Sequence, residues 1–172
     1  MIEFAVDQLP KLIRAVPTTI GLWLLAISLG TVLGILLGVG RVYAGTVLSR
    51  LIAVYIDVVR GTPMLVQMFL LYFGLPGIGV VLTPFTAAVL AIALNSAAYQ
   101  AEYLRAAILA LPRNQFDAAR AIGLSRTKAI LNVILPQAFR LALPAWSNEV
   151  VVELHFTSIA CTNGVIELTG RA

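Results

Sequence analysis

Gln115–Pro136 reads QFDAARAIGLSRTKAILNVILP, a short basic segment wedged between long apolar runs. It carries Arg120, Arg126 and Lys128 against a single acid, Asp117. Asn114 is placed to cap a first short helix with Asp117 at its third position, a near relative of the capping box. Asp117 also complements the positive end of that helix. Gly123 is suited to end the helix in the left-handed conformation, and Ser125 to cap a second helix running toward Pro136. Ala118, Ala119 and Ala121 keep the first helix slim enough to enter a groove on another protein. Between membrane spans, a basic helix–Gly–helix module belongs on the cytoplasmic side, where a partner can dock.

The rest of the chain is apolar. Hydrophobic residues make up 60% of the 172 and charged residues 12%, and mean hydropathy is +0.95. Soluble domains carry about a quarter charged residues, so this chain is solvated by lipid and forms one membrane domain over residues 1–172. The net charge of +4 is no nucleic-acid signature, because the basic residues are split by apolar spans. Cys161 and His155 are single, which excludes an internal disulfide and a Cys/His metal site. Cys161 reads as a small packing residue. The N-terminal MIEFAVDQLPKLIRAVP has no apolar core followed by a small-residue cleavage site, so no cleavable leader is expected.

A crossing needs about 20 mostly apolar residues. Four are expected, all helical because lipid offers no partner to a free backbone donor: Ala15–Gly40, Leu51–Phe73, Thr86–Tyr103 and Pro144–Ile166. Arg105, Arg113, Arg120, Arg126, Lys128 and Arg140 all lie between the third and fourth spans, and Arg41 and Arg50 flank the first connection. Both connections therefore face inward. That puts the N-terminus, the Leu75–Phe85 turn, Glu167, Arg171 and Ala172 outside. Tyr43 and Trp146 read as interfacial belt residues, and Arg60 as an inner-surface anchor, with a substrate ligand as the alternative.

Catalytic patterns are missing: there is no phosphate-binding Gly-Lys loop, nucleophile elbow or HExxH. Any ATP consumed by this system is hydrolysed on another chain. Gly30, Gly34 and Gly38 form a small-residue stripe that admits a close helix neighbour. Glu149 and Glu153 share a face of the fourth helix, where carboxylates are expensive. They are candidates for a substrate pathway, with a conformation-holding hydrogen bond as the alternative for Glu149. Asn148 and His155 lie on a neighbouring stripe, and His155 fits either the pathway or an interhelical bond. Asn95 and Tyr99 share a face of the third span, as pathway lining or as packing glue.

The basic module closely resembles the EAA-x3-G-x9-I-x-L-P loop of ATP-binding-cassette importer permeases. Asp117 stands at the E position, followed by Ala118, Ala119 and Gly123, with Val133 at the I position and Leu135-Pro136 closing it. RGTPMLVQMFLLYFGLP (Arg60–Pro76), LNSAAYQAEYLRAAILALP (Leu94–Pro112) and SNEVVVELHFTSIACTNGVIELTGRA (Ser147–Ala172) resemble the flanking spans of the histidine/glutamine-type permeases of amino-acid importers. Two departures stand out: His155-Phe156 replaces a common Lys-Asp pair, and the family usually continues into a fifth span. The resemblance thus implies an all-α, type I importer permease that is truncated or incomplete after Ala172. It implies ATPase coupling through Asp117, Ala118, Ala119, Gly123, Leu135 and Pro136, within a cytoplasmic loop of about residues 105–140. It further implies ABC ATPase subunits holding ATP and Mg, with no cofactor in this chain. The other implied partners are a second permease subunit, an external solute-binding protein and an amino-acid substrate, in a bacterial inner membrane. An ATP-independent channel or scaffold is the rival reading.

Overall fold

The computed structural model describes residues 2–171, with side chains described for residues 9–170, and the described residues contain helices and no strand. The expected placement of Met1 and Ala172 lies outside the described residues, as does that of the Arg171 side chain. The elements are α1 (Ile2–Tyr43), α2 (Thr46–Gly61), α3 (Met64–Phe69), α4 (Pro84–Ala110), α5 (Asn114–Ala121), α6 (Arg126–Ala129), α7 (Leu135–Thr157) and α8 (Leu168–Arg171). Two helices, Leu9–Tyr43 and Arg126–Asn163, are long and apolar enough to cross a membrane by composition. The pair Thr46–Gly61 and Met64–Ile78 qualifies as a third, bent by 107°.

α4 sits at the centre, against α1, α2, α3 and α7, and its contact with α1 is the most extensive in the molecule. The glycine stripe explains why. A Cβ on Gly30 would lie 2.7 Å from Ser96 Oγ, one on Gly34 2.8 Å from Gln100 Cβ, and one on Gly38 2.9 Å from the Ala101 carbonyl oxygen. Only hydrogen at these positions lets the two helices approach this closely, as the small-residue stripe led us to expect. The opposite side of α1, with Leu25, Leu29, Val32 and Leu36, stays exposed for lipid. Polar ties fix the other neighbours: Trp23 Nε1 donates to the Val150 carbonyl at 3.0 Å, and the Tyr55 hydroxyl to the Leu94 carbonyl at 2.6 Å.

Three expected spans are redrawn. The straight second span, Leu51–Phe73, is broken after Gly61. Pro63 lacks an amide hydrogen and forces Thr62 out of the helical region, and Thr62 is extended at φ −105°, ψ 129°. Gln67 Nε2 satisfies the carbonyls freed there, bonding Val59 and Thr62 at 2.8 Å each. The third expected span, Thr86–Tyr103, lies within α4, which Pro84 starts behind the capping Thr83 and which runs to Ala110, but α4 is not among the helices long and apolar enough to cross a membrane by composition. The fourth does not begin at Pro144, which lies inside α7. Helix continues from Arg126 through α7 into a 3₁₀ segment, Ser158–Asn163. Trp146, expected in an interfacial belt, stacks on Phe139 at 5.4 Å and packs against the α4–α7 core.

Two wide π turns have one sequence cause. Leu70–Gly74 ends two residues before Pro76, and Ile130–Ile134 two before Pro136. A proline ring collides with the carbonyl four residues earlier and leaves it without a donor. Those carbonyls belong to Tyr72 and Asn132, inside the two wide turns, which absorb the misfit without ending the helix. The second helix of the module therefore runs past Pro136 into α7.

Candidate coupling module and transport pathway

The module of Gln115–Pro136 is built much as its residues suggest. Gly123 holds φ +85°, a conformation that favours glycine, and its amide bonds the Arg120 carbonyl at 3.0 Å. Ser125 caps α6, its hydroxyl accepting from the Lys128 amide at 3.3 Å. The expected Asn114 cap is replaced. Arg113 occupies the cap position with no side-chain bond, and Asn114 is the first helical residue of α5. Arg113 already has helical φ and ψ, so the chain enters the helix one residue early and the Asn114 side chain has no free amide to cap.

Only Ala119 of α5 is buried, with Gln115 and Phe116 half-buried. Asp117, Ala118, Arg120, Ala121 and Gly123 are exposed, and Ile122 presents 79% of its surface. A cavity of about 510 Å³, lined by Tyr43, Leu111, Phe116, Asp117 and Ile134 among others, opens beside α5, and Phe116 packs against the bundle core next to it. Of the other coupling candidates, Leu135 is buried in the core shared with Leu104 and Ile108, and Pro136 is exposed beside it. The module thus presents one exposed face of a short helix and is rooted in the bundle through Phe116, Ile130, Ile134 and Leu135.

The pathway candidates separate into two faces of α7. Glu149 and Glu153 turn inward to α4, where they are 3% and 0% exposed. Tyr103 donates to Glu149 Oε2 at 3.1 Å. Ser96 donates to Glu153 Oε1, and Gln100 Nε2 reaches Ser96 Oγ at 2.7 Å and Glu153 Oε1 at 3.4 Å. Glu153 Oε2 is buried with no partner among the described residues, as is Asn95 Oδ1. Asn148 and His155 lie on the exposed side, with His155 Nδ1 2.9 Å from the Val151 carbonyl. The structure does not bring them to the glutamates.

Tyr99 is half-buried on α4, 6.4 Å from the Tyr103 ring, with the Arg60 guanidinium 4.9 Å from its ring centre. Arg60 also lines a small cavity with Arg41, Asp57, Glu102 and Arg105. Ser96 and Tyr103 escaped the sequence reading. The signal was available: Ser96 and Gln100 are spaced one turn apart, like Gly30 and Gly34, so the stripe's partners share a face.

The family model of the binding-protein-dependent transport system inner membrane component matches residues 30–160. The chain is similar to the probable amino-acid ABC transporter permease protein PatM of Vibrio harveyi, 42% identical, covering 99% of this chain and 78% of that protein. It is also similar to the glutamine transport system permease protein GlnP of Escherichia coli strain K12, 39% identical over 94% of this chain and 74% of that one. Among solved structures, an amino acid ABC transporter crystallised with histidines superposes with a TM-score of 0.89 at 36% identity, covering 99% of this chain and 80% of that one. An all-helical bundle seated on a glycine stripe, with a partly exposed helix–Gly–helix module rooted in it, agrees with these likenesses over nearly the whole chain. The chain belongs to the binding-protein-dependent transport system inner membrane components, the ABC importer permeases of type I fold.

Proposed function

We propose that this chain is the membrane-spanning subunit of an ATP-driven importer of polar amino acids, with cationic ones the favoured cargo. It works beside a second permease subunit, two ATPase subunits that hold ATP and Mg, and an external solute-binding protein. Its N-terminus faces outward, residues 105–140 form the cytoplasmic coupling loop, and no cofactor resides in the chain.

The observation that carries this reading is the exposure of α5. Ala118 and Ala121 on its outer face, with Ile122 and Gly123 just after it, are exposed. Such a face suits a partner that closes and opens with nucleotide, and the continuous helix from α6 into α7 carries the movement inward as a two-state shift. The amino-acid cargo is supported by the named roles of the relatives. The cationic preference rests on Glu149 and Glu153, the two acids of the fourth span, and on the unpartnered Oε2 of Glu153. Asn95, Tyr99, Asn148 and His155 complete the proposed pathway. One observation favours neutral or acidic cargo instead: Glu153 Oε1 is already held by Ser96 and Gln100.

Uptake of arginine, lysine, ornithine and histidine against glutamine and glutamate, in proteoliposomes with the partner ATPase and binding protein, decides between them. Glu153→Gln should lower cationic uptake by about tenfold or more, because losing one side of a buried charge pair costs several kcal/mol, while the complex still assembles. A wild-type complex that moves only neutral or acidic amino acids makes Glu153 a structural bonding group. The absence of any co-purifying ATPase with Walker motifs would leave the ATP-independent channel or scaffold.

A further inference from the structure

α5 is tied to the rest of the molecule at few points. Ala119 is buried, Gln115 and Phe116 are half-buried, and its other residues are exposed. Phe116 is the one large apolar side chain of α5, and it packs against the core that holds Leu104, Ile108, Ile130 and Ile134. It also lines the cavity of about 510 Å³ beside α5, so free space adjoins the contact. The chain turns sharply at both ends of the helix. Leu111 is extended at φ −72°, ψ 140° and Pro112 follows it, while Gly123 holds φ +85° on the other side. A short helix between two such turns can pivot as one body, because a few residues at element ends absorb the change.

The place where α5 meets the bundle is the second observation. It packs chiefly on Ile130–Ile134, the π turn through which the helix from α6 passes into α7. Leu135 donates its amide to the Ile130 carbonyl, five residues back, and Pro136 has no amide to offer Asn132. A wide turn holds about one residue more than a regular one, so tightening or shifting it slides the helix by about 1.5 Å without unfolding it. The regular α-helical bonds of α7 beyond it resist such a change. The one large apolar side chain of the exposed helix is thus set against the most deformable turn of the helix that carries Glu149 and Glu153.

We propose that Phe116 and the π turn Ile130–Ile134 form the joint through which movement of α5 enters α7. This rests on the coupling role proposed above and supplies its route inside this chain. A push on the exposed face of α5 is carried by the Phe116 ring to the wide turn, the turn yields, and α7 shifts with its two inward glutamates. Pro136 then has a positive task, which is to keep that turn wide.

The test uses the reconstituted permease–ATPase complex with its binding protein, in a Cys161→Ser background. Two reporters are read with and without nucleotide. Ile122→Cys reports crosslinking to the partner ATPase, and Leu143→Cys, at an exposed position of α7, carries an environment-sensitive fluorophore. With Phe116 intact both reporters should respond. In Phe116→Ala the crosslink from position 122 should keep its nucleotide dependence while position 143 falls silent. Uptake per ATP hydrolysed should drop at least about fivefold, the lower end of typical coupling between sites. Phe116→Leu, which keeps an apolar contact, should retain part of both. Unchanged uptake per ATP in Phe116→Ala, or a position 143 that still responds there, overturns the proposal. So does loss of the crosslink in that variant, which makes Phe116 only an anchor for α5. A complex with Phe116 intact and no nucleotide-dependent crosslink from position 122 strikes the coupling role itself.

Discussion

The seam where α1, α4 and α7 meet and the module at Gln115–Pro136 are both rich in small residues, and they use them in opposite ways. In the seam, Gly30, Gly34 and Gly38 remove side chains so that α4 can approach α1, which leaves Ser96 and Gln100 aimed at Glu153. In the module, Ala118, Ala121 and Gly123 face outward and touch nothing that needs the space. Small residues buried against a neighbour specify a fixed register, whereas small residues left exposed on a short helix specify a surface for something else to cover.

That contrast breaks first at Gly34. A Gly34→Leu change drives a side chain into Gln100 and the Ala97 carbonyl, and overpacking of this kind costs about 1–3 kcal/mol or more. We expect loss of folded, ATPase-associated protein, read by thermal unfolding in detergent. Gly21→Ala, where a Cβ meets nothing within 4 Å, should leave the melting temperature unchanged. Equal behaviour of the two variants would show that the seam is not tightly packed.

Gly123→Val tests the other side. Its left-handed φ costs a β-branched residue about 1–2 kcal/mol, locally, with open space around the site. Membrane insertion and melting should stay close to wild type, while stimulated ATP hydrolysis and uptake are lost. Normal stimulated turnover would remove the module from the coupling path. Ser96→Ala should come next, with a stability loss of about 1–3 kcal/mol from a buried carboxylate short of one donor. Because the two side chains share one bond, its effect and that of Glu153→Gln should not add. The smallest effect is expected from Ser125→Ala, about 1 kcal/mol or less from the lost α6 cap, seen as faster amide exchange confined to residues 125–130.

Much of this was legible because it depends on local rules. The span-forming apolar runs, the Gly123 turn, the Ser125 cap and the close-packing stripe each follow from neighbours a few residues apart. What the sequence hid depends on two segments meeting. Pro63 and Pro136 look alike as helix breakers, yet one bends the chain by 107° and the other is absorbed by a π turn. Gln67 can serve the carbonyls freed at Pro63, whereas Ile134 and Leu135 hold the second helix straight against α4. The face Glu153 presents likewise depends on Ser96, fifty-seven residues away.

The central claim is that α5 carries motion between an ATPase and the bundle. Its most direct test puts cysteine at Ile122 in a Cys161→Ser background and scans single cysteines over the partner ATPase in the reconstituted complex. The account predicts efficient crosslinking from position 122 that changes with bound nucleotide, and uptake that stops when the crosslink forms and returns on reduction. Uptake that continues with α5 locked to the ATPase, or crosslinking from Ile78 but none from position 122, would contradict it.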